Sequence, residues 1–311
     1  MTADAARPLL VLVGPTAVGK TALSLALAAR FNGEIVSSDS RLFYRGLDIG
    51  TAKPTAAERA AAPHHLIDVA DPGETISLGQ YQRLAGAAID GVLARGRLPI
   101  LVGGTGQYVM AVVEGWGVPE VAPRPALRAA LEGLGGAEAA RWLAALDPTA
   151  AGRIDPRNVR RVVRALEVTL VSGRPISELQ RKTPPPYDVR LVGLRRDRAA
   201  LYARIDARVD EMMAAGLLDE VRRLHDAGYA DAPPLSGLGY RQLLAHLRGE
   251  TTLDEAITRI KFETHRFARQ QATWFRADDE RIAWFEAEDS EGVVACVAGW
   301  LEAQGSGERG Q

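Results

Sequence analysis

"GPTAVGKT", residues 14–21, stands directly after the apolar run "PLLVLV" (8–13) and directly before "ALSLALAARF" (22–31). Its spacing is G-x-x-x-x-G-K-[ST], the pattern of a phosphate loop set between a strand and a helix. A glycine-rich turn in that place aims backbone N–H groups at one point, and the uncapped start of the helix favours an anion there. Gly14, Pro15, Thr16, Ala17, Val18, Gly19, Lys20 and Thr21 are therefore the expected cradle for a polyphosphate. Lys20 adds a point charge, and the Thr21 hydroxyl is placed to ligate Mg²⁺. The loop specifies polyphosphate and leaves the rest of the ligand open.

Working outward, short apolar runs recur at 9–13, 34–38, 65–69, 99–102 and 189–194, with helical patterns such as 78–93 between several of them. That alternation predicts an α/β fold, a P-loop NTPase-like parallel sheet flanked by helices. Breaks fall at "GWGVPEVAPRP" (115–125) and "KTPPPYD" (182–188), and every apolar period between them is helical. Because the strand-like "VRLVGL" follows the second break, the helical piece reads as an insertion into the α/β domain. The expected division is 1–116 and 188–300 for the core, 117–187 for the insert and 301–311 for a flexible tail.

With 47% hydrophobic residues the chain of 311 can bury a sizeable core, and a net charge of −1 gives no global field for nucleic acid. Any such site must be a local patch. One cysteine, Cys296, excludes an intrachain disulfide framework and a cysteine-rich zinc site, and it reads as a core residue. No run approaches the ~20 apolar residues that span a bilayer. A soluble, cytoplasmic protein, acting as a monomer, is the expectation.

Three constellations carry chemistry. "EIVSSDS" ends the second expected strand at Asp39 and Ser40, where ligands of open parallel sheets bind. Asp39 can accept a proton from a nucleophile or position Mg²⁺, or else cap a helix. "PILVGGTGQY" ends another strand with Gly103, Gly104, Thr105 and Gly106; Thr105 can offer its hydroxyl to a base or phosphate, or the stretch is a plain turn. In "PRNVRRVVRALEVTL" Arg157, Arg160, Arg161 and Arg164 fall within about one quadrant at ~100° per residue, opposite Val159, Val163, Leu166 and Leu170. From Arg153 to Lys182 eight basic residues face three acidic ones, which suits a nucleic-acid backbone better than a merely solvated face. His64 and His65 have no third ligand nearby for a metal. Trp274, Phe275, Trp284 and Phe285 read as packing rather than base stacking.

Taken together, "GPTAVGKT", "SSDSRLFYRGLDIGTAKPT", "HHLIDVADPGETISLGQYQ", "LVGGTGQY", "NVRRVVRALEV", "GLGYRQ" and "ARQQATWFR" resemble, in this order and over nearly the whole chain, the tRNA dimethylallyltransferases. The block "DIGTAKPT" is the most specific part. The resemblance implies transfer of a five-carbon prenyl group from dimethylallyl diphosphate to the exocyclic amine of the adenosine 3′ of the anticodon in certain tRNAs. It implies that Asp39 takes the proton of the attacking amine and that Thr105 lies near the target nucleotide. It places tRNA contacts at Asp39, Ser40, Arg41 and Leu42, and along Arg160, Arg161, Val162, Val163 and Arg164. Arg160 stands where the family has Gln. Arg128 aligns with a tRNA contact across a small gap, and Arg241 in "GYRQ" matches a basic position facing the diphosphate. Gln270 stands where the family commonly has Arg, and no role is carried onto it. A P-loop small-molecule or nucleoside kinase shares the loop but does not account for "DIGTAKPT" or the arginine row; in a third class, an NTP-switched RNA-binding protein, Asp39 would only arrange Mg²⁺.

Overall fold

The structure, a computed structural model, describes residues 7–183 and 185–306. Leu9, Leu10, Val11, Leu12 and Val13 have no solvent exposure, as a continuous apolar strand covered on both faces requires. This strand, β1 (Pro8–Val13), joins β2 (Gly33–Ser37), β3 (His64–His65), β4 (Leu98–Val102), β5 (Asp188–Arg195) and β6 (Ile282–Glu286). They form one sheet in the order β3-β2-β4-β1-β5-β6, and every pairing is parallel. The helices Lys20–Arg30, Arg198–Ala214, Leu253–Gln271 and Ser290–Ser306 pack side chains such as Leu27, Ile205, Ala268 and Val297 against Leu10, Leu12, Ile100 and Val192 of the sheet.

Two expected features differ. The strand anticipated over 65–69 stops at His65 because Leu66 and Asp68 take left-handed backbone angles, φ +63° and +58°, which end a strand. The strand β6 escaped the sequence reading, although Phe285 on it packs against the core as expected of that aromatic. Helix Ser290–Ser306 continues through the first part of the anticipated tail; residues 307–311 lie outside the described residues. Cys296 is half-buried rather than core, and its Sγ accepts a hydrogen bond from Arg190 Nη2 at 3.0 Å. No described helix is long and apolar enough to cross a membrane.

The chain forms two compact units, one made of the residues up to Val109 together with those from Pro186 on, the other Met110–Pro185. Among its described residues the second unit's regular elements are helices, chiefly Pro125–Gly133, Gly136–Leu146 and Val159–Ser172. Leu131, Leu143, Val162, Val163, Leu166 and Val168 form its core. A carboxylate sits beside that core with no solvent exposure: Glu167 accepts from the Arg124 N–H at 2.7 Å, from Arg128 Nε and Nη2 at 2.9 and 2.8 Å, and from Arg164 Nη1. Burial works to raise its pKa, but the Arg128, Arg124 and Arg164 donors outweigh burial and bring it down to about 2.

Glu167→Ala leaves two guanidinium groups without their buried partner, so it is expected to destabilise the helical unit by about 3–5 kcal/mol in thermal or denaturant unfolding. The folded-state pKa lies below the ordinary value of 4.5. The contribution is therefore complete above about pH 4.5 and is lost as pH falls toward about 2, which acid titration of the unfolding free energy will read as a difference between wild type and variant.

Candidate active site

The phosphate loop is held by a close approach of two backbones. Gly14 has φ +144°, and a Cβ there would lie 2.6 Å from the Leu194 carbonyl oxygen of β5, so no side chain fits. The loop leads into helix Lys20–Arg30, whose N-cap Gly19 supplies no side-chain cap, leaving first-turn amides for an anion. Lys20 Nζ lies over the loop and donates to the carbonyls of Gly14 at 2.9 Å and Pro15 at 2.7 Å. Burial pushes its ammonium down to about 8, Asp39 pulls the other way, and Arg208 adds to the depression.

Strand order sets what faces the loop. β4 separates β2 from β1, so the Gly103–Gly106 turn after β4 lies between the Asp39 turn after β2 and the phosphate loop after β1. Asp39 does not cap a helix: its Oδ1 accepts the Arg41 N–H at 2.9 Å, and its carbonyl accepts from Leu42 at 3.2 Å in a turn. Its charge acts on Lys20, on Arg208 and on the phenols of Tyr81 and Tyr108. Those two rings stack at 4.5 Å, and Phe43 stacks on both at 5.6 and 5.9 Å. An aromatic wall thus adjoins the carboxylate, while cations stand on the phosphate side.

Other expected site residues divide into open and engaged groups. Ser40 and Thr105 are half-buried, and neither hydroxyl has a hydrogen-bond partner among the described residues. Arg41 is held by the Pro234 and Pro233 carbonyls at 2.9 and 3.3 Å, and the Leu42 carbonyl accepts from the Asp68 N–H at 3.1 Å. Arg241 pairs with Glu263 and reaches the Ser236 carbonyl at 3.4 Å, engagements that do not include the loop. In the helical unit Val162 and Val163 are 1% and 2% exposed, so their side chains form core and touch no ligand. Arg164 and Arg128 serve Glu167. Arg157 precedes the helix Val159–Ser172 and pairs with Asp155 at 2.8 Å. Arg160 and Arg161 are exposed, and among the described residues neither guanidinium has an ion-pair partner. Leu170, expected to pack, is 44% exposed.

"DIGTAKPT" folds as a loop built around buried charge. Glu220, 1% exposed, accepts the N–H groups of Asp48, Ile49 and Gly50 at 3.0, 2.8 and 3.1 Å and the Tyr240 hydroxyl at 2.7 Å. Lys53 joins Asp48, Asp68 and the Tyr44 carbonyl. His65 meets Glu34 at 2.6 Å and His64 meets the Ala62 carbonyl; no group of three metal-ligating side chains occurs among the described residues.

Three residues join the site that the sequence reading passed over. Arg204 Nε donates to the Ala17 carbonyl in the phosphate loop at 3.1 Å. Arg208, four residues on, lies in the fields of Asp39 and Lys20; burial works against its charge and Asp39 favours it. Gln271 links the loop to the Gly103–Gly106 turn. The signal for the arginines was their i, i+4 spacing on a helix read only for its apolar period.

Residues 42–278 match the model of the IPP transferase family. The chain is 61% identical, over 86% of its own length and 90% of the relative's, to a tRNA dimethylallyltransferase of Roseiflexus sp. (strain RS-1). It is 48% identical to the tRNA dimethylallyltransferase of Dehalococcoides mccartyi, over 94% of this chain and 93% of that one. Among solved structures, the tRNA isopentenylpyrophosphate transferase of Bacillus halodurans matches with TM-score 0.74 and 41% identity, covering 97% of this chain and 99% of that one. A eukaryotic dimethylallyltransferase acting on tRNA matches with TM-score 0.85 and 27% identity, over 96% and 80%. The chain belongs to the IPP transferase family.

Arg208→Ala is expected to weaken binding of inorganic pyrophosphate, with magnesium present, by about 10- to 100-fold, the range for one lost charge-assisted hydrogen bond. Arg41→Ala, whose guanidinium serves Pro233 and Pro234, should stay within about twofold, as expected of a side chain outside the anion's reach. Calorimetry across pH should show affinity falling above about pH 8, where Lys20 loses its charge. Equal affinity in Arg208→Ala and wild type would remove Arg208 from the site.

Proposed function

We propose that the protein is a tRNA-modifying prenyltransferase that moves a dimethylallyl group from dimethylallyl diphosphate to the exocyclic amine of the adenosine 3′-adjacent to the anticodon. The single observation that carries the mechanism is Lys20, seated on the Gly14 and Pro15 carbonyls of the phosphate loop and lying in the field of the Asp39 carboxylate, a field that Arg208 shares. A phosphoryl-transfer enzyme attacks the phosphate; here the phosphate is the leaving group. The amine nitrogen attacks the prenyl carbon, the C–O bond to diphosphate breaks, and its electron pair stays on the diphosphate oxygen. Lys20, Arg208 and the loop amides stabilise that growing charge. The amine proton passes to Asp39. Because the amine lone pair is delocalised into the adenine ring, orientation and a proton acceptor are what the protein must add. The ring wall of Phe43, Tyr81 and Tyr108 offers an apolar and stacking surface for the prenyl chain or the base.

The Thr21 hydroxyl is an oxygen donor of the kind Mg²⁺ takes. With diphosphate bound it would hold the ion together with the phosphate oxygens, and the ion would neutralise charge on the leaving group. On the tRNA side, Arg160 and Arg161 are the phosphate contacts this reading favours, since Arg164 is committed to Glu167. Guanidinium in place of the family's Gln at 160 keeps a donor for a phosphate.

Purified protein given tRNA and dimethylallyl diphosphate without ATP should form prenylated adenosine, detected by mass analysis of tRNA nucleosides; a strict need for ATP hydrolysis would return the kinase reading. Asp39→Ala should lower single-turnover rate by about two to four orders of magnitude with tRNA affinity within a few fold. The double change Arg160→Ala with Arg161→Ala should weaken tRNA binding and make log K against log[salt] shallower by up to about two units, about one per lost phosphate contact. Parallel lines of equal affinity would make that helix face a solvated surface only.

A further inference from the structure

The phosphate loop and the turn that carries Thr105 are joined by one side chain. Gln271, the last residue of helix Leu253–Gln271, is 5% exposed. Its Oε1 accepts the Thr16 N–H in the phosphate loop at 2.8 Å, and its Nε2 donates to the Gly104 carbonyl at 3.0 Å. A Cβ on residue 104 would collide with Nε2, so glycine there is a condition of the contact. The Thr16 amide, one of the N–H groups expected to face phosphate, is thereby assigned to protein.

Among side chains of this length, the primary amide alone both accepts and donates at the two ends of one rigid plane without first taking up a proton. A carboxylate would set lone pair against lone pair at Gly104, methionine would leave both backbone groups unpaired, and asparagine is one methylene too short to span them. Two backbone segments 88 positions apart in sequence, Thr16 and Gly104, are thus locked at one separation by a residue mounted on a helix. One segment cradles the diphosphate, and the other carries Thr105 on the acceptor side.

We propose that Gln271 is a positioning residue for prenyl transfer: by bridging the Thr16 amide and the Gly104 carbonyl it sets the distance between the donor's diphosphate loop and the acceptor-side turn. The proposal rests on the prenyl-transfer reading. It predicts a specific division of effects. Each substrate is bound mainly by its own loop, so losing the bridge leaves each affinity nearly intact. The reacting atoms lose their alignment, and a misplacement of ~1 Å costs up to about 100-fold in rate.

The test uses the full chain with tRNA and dimethylallyl diphosphate under single-turnover conditions. Gln271→Met is expected to lower the rate about 10- to 100-fold, with pyrophosphate and tRNA dissociation constants within about threefold of wild type. Gln271→Glu supplies a readout that a general packing role does not move. When protonated, this glutamic acid accepts from Thr16 with its carbonyl oxygen and donates to Gly104 with its hydroxyl, as the amide does. Its rate, divided by the wild-type rate at each pH so that titrations common to both enzymes cancel, should rise as pH falls. A Gln271→Met enzyme with wild-type rate overturns the proposal. So does a rate loss matched by lost folded fraction in thermal melts, or a Gln271→Glu ratio that is flat with pH. If wild type itself makes no prenylated tRNA, the functional reading fails first, and that outcome is separate from any result with the variants.

Discussion

The position of β4 between β2 and β1 is the constraint on which the larger unit's chemistry depends. Parallel strands run ~4.8 Å apart, so the Asp39 turn and the phosphate loop stand about 10 Å from one another. Backbones at that spacing do not meet. Only long side chains or a ligand connect them, and Lys20 and Arg208 both lie in the field of Asp39, which partly offsets the burial that lowers their pKa. The middle place falls to the Gly103–Gly106 turn. Glycine at 104 lets the Gln271 amide come up against it, and the three loops become one surface instead of three independent ends.

Buried carboxylates decide which cations remain for a ligand. Glu34, Glu167 and Glu220 are 2%, 0% and 1% exposed, and an unpaired charge there would cost several kcal/mol. Each is surrounded by donors. Glu34 takes Arg95, Arg97 and His65. Glu167 takes Arg128 and Arg164. Glu220 takes three successive amides of the "DIGTAKPT" loop, a nest of N–H groups of the sort that binds free anions elsewhere. The most family-specific block of the chain is therefore a closed structural loop, and the outward basic charge of the helical unit contracts to Arg160 and Arg161 on that helix.

Much of this was legible in the sequence, for reasons that can be named. A phosphate loop is encoded locally by spacing, and the strands before and after it by uninterrupted apolar runs, so β1, β2, β4 and β5 came out within a residue or two. The place of Asp39 just after β2 was legible because the end of a parallel strand is a predictable place. What escaped were features created by distant pairs. Nothing within "NVRRVVRALEV" tells that Glu167 faces inward and captures Arg164, because one acidic residue on a basic helix reads as solvated until its burial is known. Arg204, Arg208 and Gln271 lie 183 or more positions beyond the loop they serve. The two-residue β3 was overestimated because left-handed angles at Leu66 and Asp68 occur at residues that seldom adopt them.

On the proposed prenyl-transfer reading, the charge arrangement would set the order of events. Asp39 supports the charged forms of Lys20 and Arg208, so in the protein alone the carboxylate and the two cations stabilise one another. A diphosphate brings more negative charge to the same cations and competes with Asp39 for them. The carboxylate is then released from that partnership as the donor is seated, which is the stage at which a proton acceptor is required. When the C–O bond breaks, charge on the diphosphate would grow and draw the cations further to it, while the proton leaving the amine would neutralise the carboxylate left behind. On this reading a phosphate loop combined with a facing carboxylate would couple leaving-group stabilisation to proton acceptance through shared cations; a kinase can use the same carboxylate and cations, and the difference lies in which atom is attacked, carbon here and phosphorus there.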